Sequence, residues 1–146
     1  MAFQFKLDAV LRFRESVERS EEAALHRIAS EIAQVEVELQ QVDANQVRLR
    51  EQRDQDLARK LPAVYLLELA ERELELKNTA DQLRSRRQQL ETKRRQQLAI
   101  YQTAHRERQI LSELRDQQRH SYQVEQGRRE QKTLDDLFLA RRREGN

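Results

Sequence analysis

Apolar residues in the first half of the chain recur at alternating intervals of three and four positions. The run consists of Leu25, Ile28, Ile32, Val35, Leu39, Val42 and, seven positions further on, Leu49. This spacing is the a and d pattern of a heptad coiled coil, in which a narrow apolar seam stays against a partner helix. Val17 and Ile28 are eleven positions apart, which is a stutter that unwinds the supercoil locally. The pattern predicts a long helix that packs along one face.

The second half carries a seam of its own, with a seven-residue interval from Leu69 to Leu111. The positions between them are Leu76, Leu83, Leu90, Gln97 and Ala104. The complementary row is less apolar, because Arg87, Arg94 and Arg108 belong to it. Arginine can lay its methylene groups along such a seam and keep its guanidinium in water. We expect the second helix to pack tightly along one row and loosely along the other.

The only proline of the chain, Pro62, lies between the two seams and predicts a turn. A short connection between two heptad helices makes them antiparallel neighbours. We therefore expect an all-α fold, a single antiparallel two-helix coiled-coil hairpin over 1–146. Its first helix spans about 5–58, its turn about 59–64 and its second helix about 65–125. Residues 126–146 form a C-terminal overhang without an intramolecular partner, and Gly127 favours fraying there.

The composition supports long helices over other folds. Hydrophobic residues make up 37% of the 146 residues and charged residues another 37%, while Gly occurs twice and Pro once. So few turn-forming residues exclude a sandwich, a barrel or a doubly wound fold. The abundance of Leu, Glu, Gln, Arg and Ala favours helix over disorder. The net charge of +2, the absence of cysteine and the lack of a long apolar run predict a cytoplasmic protein without disulfides.

Catalytic and metal-binding patterns are missing from the sequence. A two-helix hairpin offers no pocket that could desolvate reacting groups. His26, His105 and His120 are far apart, and Glu22 with His26 is interpreted as an exposed ion pair one helical turn apart. We expect no enzyme activity, no cofactor, no metal and no small-molecule substrate.

A cluster of six basic residues against one acidic residue lies within 84–95. Such a face could bind phosphates, which leaves a nucleic-acid-binding coiled coil as an alternative function. The other interpretation is a solvated coiled-coil flank that faces Glu31, Glu36 and Glu38 of the first helix, and we favour it. A purely structural coiled coil is a further alternative, and the sequence leaves a monomer and a domain-swapped dimer both open.

Large apolar side chains concentrate at the two ends of the chain. The N-terminal group is Phe3, Phe5, Leu7, Val10, Leu11 and Phe13, and the C-terminal group is Leu134, Leu137, Phe138 and Leu139. Folding back symmetrically about Pro62 places residue 3 near residue 121, so the first group can cap the hairpin near Tyr122. The second group lies beyond the reach of the first helix and is flanked by arginines, which is typical of a surface that binds a partner.

Both termini resemble one known family, the FliJ proteins of the bacterial flagellar type III export apparatus. Residues 3–15, FQFKLDAVLRFRE, have its aromatic-x-aromatic-basic-Leu start and the Arg-x-x-Glu stretch that follows. Residues 130–136, EQKTLDD, are similar to its closing Glu-x-Lys-x-Leu-Asp-Glu motif, with Asp136 in place of the usual Glu. The resemblance covers the whole chain, and its specificity resides in the two terminal motifs.

The resemblance implies a hairpin similar to the coiled coil of the rotary ATPase gamma subunit. Its implied partners are the export ATPase hexamer, the cytoplasmic domain of the export gate protein and the export chaperones that it escorts. It implies a cytoplasmic protein that is peripherally associated with the inner-membrane export apparatus through these partners. Neither a cofactor nor nucleic acid is expected as a ligand.

The same resemblance assigns binding residues to this chain. The ATPase-facing residues at the two ends would be Phe5, Leu7, Leu11, Arg14, Lys132, Leu134, Asp135 and Asp136. The gate-facing surface would lie on the turn-proximal half, where the first helix carries Val42, Asn45 and Leu49.

Overall fold

A computed structural model describes residues 2–145, which form two helices joined by a short turn. Helix α1 runs from Asp8–Ala58 and helix α2 from Ala63–Glu144, and the two long helices pack against each other. No strand occurs among the described residues. The predicted all-α fold is confirmed.

The heptad seams are the core of the molecule. Within residues 21–101, one of two compact units, Ile32, Val35, Leu39 and Leu90 form a buried cluster. Ile28 and Leu83 pack against this cluster. The other unit, which we call the terminal unit, comprises residues 2–20 and 102–145, and its buried apolar residues are Leu11 and Ala104. Each fully buried leucine contributes about 2 kcal/mol to stability, so these few side chains account for much of the packing energy.

Polar residues of the two seams pair across the interface between α1 and α2. The Gln97 amide donates hydrogen bonds to the backbone carbonyl and the carboxylate of Glu21, at 3.0 and 2.5 Å. The Arg53 guanidinium donates to the Glu73 carboxylate at 3.1 Å. These contacts matter because a polar group removed from water destabilises the fold unless it finds a partner.

The turn begins with a Schellman motif at the end of α1. The backbone N–H of Leu61 donates to the carbonyl of Asp56 at 3.3 Å, and that of Lys60 donates to the carbonyl of Leu57 at 3.2 Å. Lys60 has φ of 56°, the left-handed conformation that glycine usually provides at this position. Pro62 then directly precedes α2, where its missing N–H leaves no helical hydrogen bond unmade.

Two predicted helix bounds differ from the structure. Helix α1 begins at Asp8 rather than near residue 5, because a turn precedes it in which the Asp8 N–H donates to the Phe5 carbonyl at 3.1 Å. Helix α2 continues through Gly127 to Glu144 instead of fraying near residue 125. A single glycine costs about 1 kcal/mol, and the helix formers on both sides of Gly127 outweigh that cost.

We expect Lys60→Gly to raise the free energy of unfolding by about 1 kcal/mol, because glycine adopts the left-handed conformation without a Cβ clash. Urea unfolding followed by circular dichroism measures this change. Arg59→Gly is the matched control: Arg59 has no positive φ, so glycine there should be neutral or destabilising. Equal effects of the two variants would contradict the assignment of strain to Lys60.

Candidate partner-binding site at the chain termini

The first residues of the chain pack against α2 before α1 begins. The rings of Phe3 and Tyr122 lie with their centroids 5.6 Å apart and tilted by 49°. The guanidinium of Arg119 lies 5.8 Å from the centroid of Phe3, within cation–π range. Phe3 therefore holds the N-terminal segment against α2, near the place that folding the chain back about Pro62 predicts.

The predicted N-terminal binding residues, which lie just before α1 and on its first turns, divide into buried and exposed ones. Leu11 is 1% exposed and lies inside the hairpin, while Phe5 is half-buried. Leu7 and Phe13 are 40% and 61% exposed. Arg14 pairs with Glu107 of α2 at 2.5 Å. Leu11 thus stabilises the hairpin from within, because the heptad seam takes its side chain, and does not present it to a partner.

The last part of α2 has no neighbour in the structure. Every residue from 127 to 145 is exposed, although the helix is unbroken to Glu144. Contacts one turn apart support it, including an ion pair of Arg129 with Glu125 at 3.4 Å and a hydrogen bond of Gln131 to Asp135 at 3.1 Å. Arg141, Arg142 and Arg143 lie in the last turn, where positive charge is favourable to the helix dipole. We call residues 127–145 the terminal helix.

The motif side chains of the terminal helix point in all directions around it. At about 100° per residue, Leu134, Leu137 and Phe138 share one face of the helix. Lys132 and Asp136 lie about 160° from Leu134, and Leu139 about 140° from it. Leu134, Leu137, Phe138 and Leu139 are 51% to 66% exposed. A partner that contacts all of these residues must surround the helix.

Comparison with known proteins decides the family. The family model described as flagellar FliJ protein matches residues 3–145, which include both terminal motifs and nearly the whole chain. The chain belongs to the FliJ family. Neither a search of the curated proteins nor a search of the solved structures found a significant match.

Membership in the FliJ family makes this chain a component of the flagellar type III export apparatus. The family consists of export-apparatus proteins rather than enzymes, and its members interact with other components of that apparatus. Among residues 2–145, no helix is long and apolar enough to span a membrane. In the same range no three His, Asp or Glu side chains are grouped to hold a metal ion.

An ion-pair cluster of this FliJ-family chain lies within the terminal unit. The Glu18 carboxylate accepts hydrogen bonds from Arg108 at 2.6 Å and contacts Nδ1 of His105 at 2.9 Å. The Glu18 side chain is 15% exposed. The hydrogen bond from Arg108 is the main cause that lowers the pKa of Glu18, and burial opposes it. This cluster occupies a seam position, so it fixes how the two helices align there.

The residues proposed from the resemblance for the export gate are mostly not on the surface. Val42 is 8% exposed and Leu49 is half-buried, while Asn45 is exposed. Val42 belongs to the seam, so it cannot serve as a contact residue unless the hairpin opens. The turn-proximal part of α2 instead presents Leu67 and Leu74, which are 65% and 58% exposed.

The basic residues 84–95 are partly neutralised within the fold. Arg86 pairs with Glu31 at 3.3 Å, as the interpretation of a solvated flank predicts, and Arg84 pairs with Asp81 at 3.4 Å. The remaining basic side chains of the cluster are exposed. Arg84 and Arg87 line a groove with Glu36 and Asp43 of α1, so acidic residues of the first helix lie beside this face, which favours the solvated flank over the nucleic-acid alternative.

We expect Glu18→Gln to lower the free energy of unfolding at pH 7 by about 1 kcal/mol, because it removes a charge-assisted hydrogen bond. A carboxyl whose pKa is lowered by folding stabilises the fold at pH values above its ordinary pKa, near 4.5. This stabilisation is lost as the pH falls below that value. The difference from the wild type should therefore shrink in acid. Unfolding followed between pH 7 and pH 3 checks this, with exposed Glu36→Gln as the control. A difference independent of pH would contradict the role of the ionised carboxylate.

Proposed function

We propose that this FliJ-family protein is a central-stalk and coupling protein, and that its terminal unit binds the hexameric ring of the export ATPase. The observation that carries this proposal is the terminal helix, which is exposed on every side and has motif residues around its whole circumference. Its 18 residues from 127 to 144 extend for about 27 Å. A pore formed by several subunits contacts a helix from all sides, which a single flat binding surface does not.

The N-terminal residues extend the proposed ATPase contact. Leu7, in the turn before α1, and Phe13, on the second turn of α1, are exposed, and Phe5 is partly accessible. Arg14 and Leu11 support them through the ion pair with Glu107 and through burial. In this proposal, Leu7 with the terminal-helix residues Lys132, Leu134, Asp135 and Asp136 contacts the ring, whereas Leu11 keeps the end of the hairpin closed.

We expect Leu134→Ala and Phe138→Ala each to weaken binding to the export ATPase at least fivefold, since exposed apolar anchors of this kind contribute about 1–2 kcal/mol to an interface. Stimulation of ATP hydrolysis should fall in parallel. Melting temperatures should not change, because neither side chain is buried. Isothermal titration with the ATPase, an ATPase assay and light scattering for hexamer formation measure these effects.

Two further variants give this experiment its controls. Ile100→Ala removes a side chain that is 49% exposed outside the terminal unit, and this variant should bind normally. Leu139→Ala tests the enclosing geometry, because Leu139 lies about 140° from Leu134. Weakened binding in Leu139→Ala supports a ring around the helix, and normal binding indicates a one-sided contact. Normal binding in Leu134→Ala and Phe138→Ala would overturn the proposed site.

We further propose that the turn-proximal half of α2 binds the cytoplasmic domain of the export gate protein. Leu67, Ala70 and Leu74 follow one another at helical intervals on the face of α2 that points away from the seam. All three are exposed, and an exposed apolar stripe is typical of a docking surface. Exposed Asn45 of α1 is compatible with this contact, while buried Val42 acts through the stability of the hairpin.

We expect the double variant Leu67→Asp and Leu74→Asp to reduce binding to the gate domain at least tenfold, because two charges would be buried against apolar surface. Its helicity and its binding to the ATPase should remain. Ile110→Asp, an equally exposed position elsewhere on α2, is the control. Unchanged affinity for the gate domain, measured by titration, would refute this surface.

Escort of export chaperones is the third part of the proposal, and family membership supports it. In this scheme the protein is cytoplasmic and reaches the membrane through its partners. The two surfaces described above belong to different parts of the chain, so the ATPase and the gate need not compete for the same residues.

A further inference from the structure

The outer face of α1 carries a second heptad pattern, on the side of the helix opposite the buried seam. Its residues follow at intervals of three and four: Ser30, Ala33, Val37, Gln40, Ala44 and Val47. All six are exposed, and Val37 and Val47 are 48% and 51% exposed. Ala23 and His26 continue the same spacing towards the N-terminus. We call these eight positions the outer stripe.

No Asp, Glu, Lys or Arg occupies the outer stripe, although 37% of the chain is charged. Solvent-facing helix positions normally collect charge, so an uncharged outer face at heptad spacing is unexpected for a helix that faces only water. Alanine and valine at these positions allow another helix to approach closely. The pattern fits a second helix that packs along residues 23–47.

The residues that flank the outer stripe indicate which helix packs against it. In the heptad frame, the stripe occupies positions a and d; the charged residues at the flanking g positions are acidic and those at the e positions are basic, while Ala29, Gln34 and Gln41 are uncharged. The g positions include Glu22 and Asp43, and the e positions include Arg27 and Arg48. All four side chains are exposed. Within residues 2–145, Arg27, Asp43 and Arg48 have no ion-pair partner within 4 Å, although Asp43 lines a groove with Arg84 and Arg87 of α2, and Glu22 pairs with His26 of the stripe at 3.7 Å.

These flanks are self-complementary in one orientation. In a parallel two-stranded coiled coil, a g residue faces the e residue five positions later in the other chain. Glu22 of one copy then faces Arg27 of the second copy, and Asp43 faces Arg48, so twofold symmetry gives four attractive pairs. An antiparallel arrangement would place acid against acid and arginine against arginine.

Helix α2 has a comparable uncharged row but lacks these properties. Gln82, Ser85, Gln89, Thr92 and Gln96 follow at the same intervals and include no large apolar side chain. The flanks of this row are mainly basic, with Arg86, Lys93 and Arg95 against Asp81. By the same five-position rule only Asp81 and Arg86 would attract each other, while Gln88 faces Lys93 and Arg95 faces Ile100.

We propose that two copies of this chain associate in parallel through the outer stripe of α1. Gln40, Ser30 and His26 place polar groups in that interface, so the association is reversible and dependent on concentration. It uses none of the residues assigned above to the ATPase or the gate, and it therefore stands independently of the proposed function.

The first experiment is sedimentation equilibrium of the full chain over a wide range of concentrations. We expect a monomer–dimer equilibrium that Gln40→Leu shifts towards the dimer by at least tenfold and Val37→Asp shifts towards the monomer by a similar factor. Leu98→Asp, at an exposed position of α2, is the control and should leave it unchanged. A monomer at every concentration, including for Gln40→Leu, would overturn the proposal and leave the stripe to a helix of another protein.

The charged flanks and the orientation are tested separately. Reversing the acidic flanks by Glu22→Arg and Asp43→Arg should weaken the dimer about tenfold, and adding Arg27→Glu and Arg48→Glu should restore it. Because the chain has no cysteine, Val47→Cys alone reports orientation. Symmetric disulfide formation between two Val47→Cys chains supports the parallel dimer. Crosslinking that requires a mixture of Val47→Cys and Ala23→Cys chains, whose a and d positions face each other in an antiparallel pair, would instead show an antiparallel dimer and refute the proposal.

Discussion

Burial of aliphatic side chains between α1 and α2 is the interaction on which this molecule depends. A two-helix hairpin has no second layer of structure, so each seam residue that is lost removes part of the only core. Leu11 and Leu90 are the largest fully buried side chains, in the terminal unit and in residues 21–101 respectively. Because the seam is a narrow stripe of a and d positions, it also decides which side chains remain for partners. A leucine in the seam, such as Leu11, stabilises the hairpin, and a leucine outside it, such as Leu134, is available at the surface.

The unequal lengths of the helices produce the candidate binding site. Helix α1 has 51 residues and α2 has 82, so the hairpin cannot cover the end of α2. Residues 127–145 would form only a marginal helix as an isolated peptide. Here they continue the preceding turns of α2, which are already helical, so no new helix has to be nucleated. Binding and stability are thereby separated, since residues 127–145 can change their contacts without disturbing the core. This separation suits a component that joins other proteins of the export apparatus.

Polar pairs within the seam give the hairpin its alignment. Leucine and valine can pack in several registers, but Gln97 opposite Glu21 and Arg108 opposite Glu18 find partners in one register only. A one-turn slip would leave these partly buried groups without their partners, which destabilises the shifted register. The same logic applies to the outer stripe of α1, where uncharged positions permit close approach and charged flanks choose the orientation.

The sequence alone determined the helices, the position of the turn and the family, because heptad spacing, a single proline and two terminal motifs are local signals. It also predicted the partner of Phe3, since folding back about Pro62 places residue 3 near residue 121, and Tyr122 is in contact. It did not predict the unbroken helix through Gly127, because the helix formers on both sides outweigh the cost of one glycine. Heptad spacing already placed Val42 in the seam, but the terminal motif did not separate Leu11 from the exposed residues around it, since a motif identifies residues without giving their orientation. Tertiary structure decided these points, because burial depends on which face of each helix its neighbour covers.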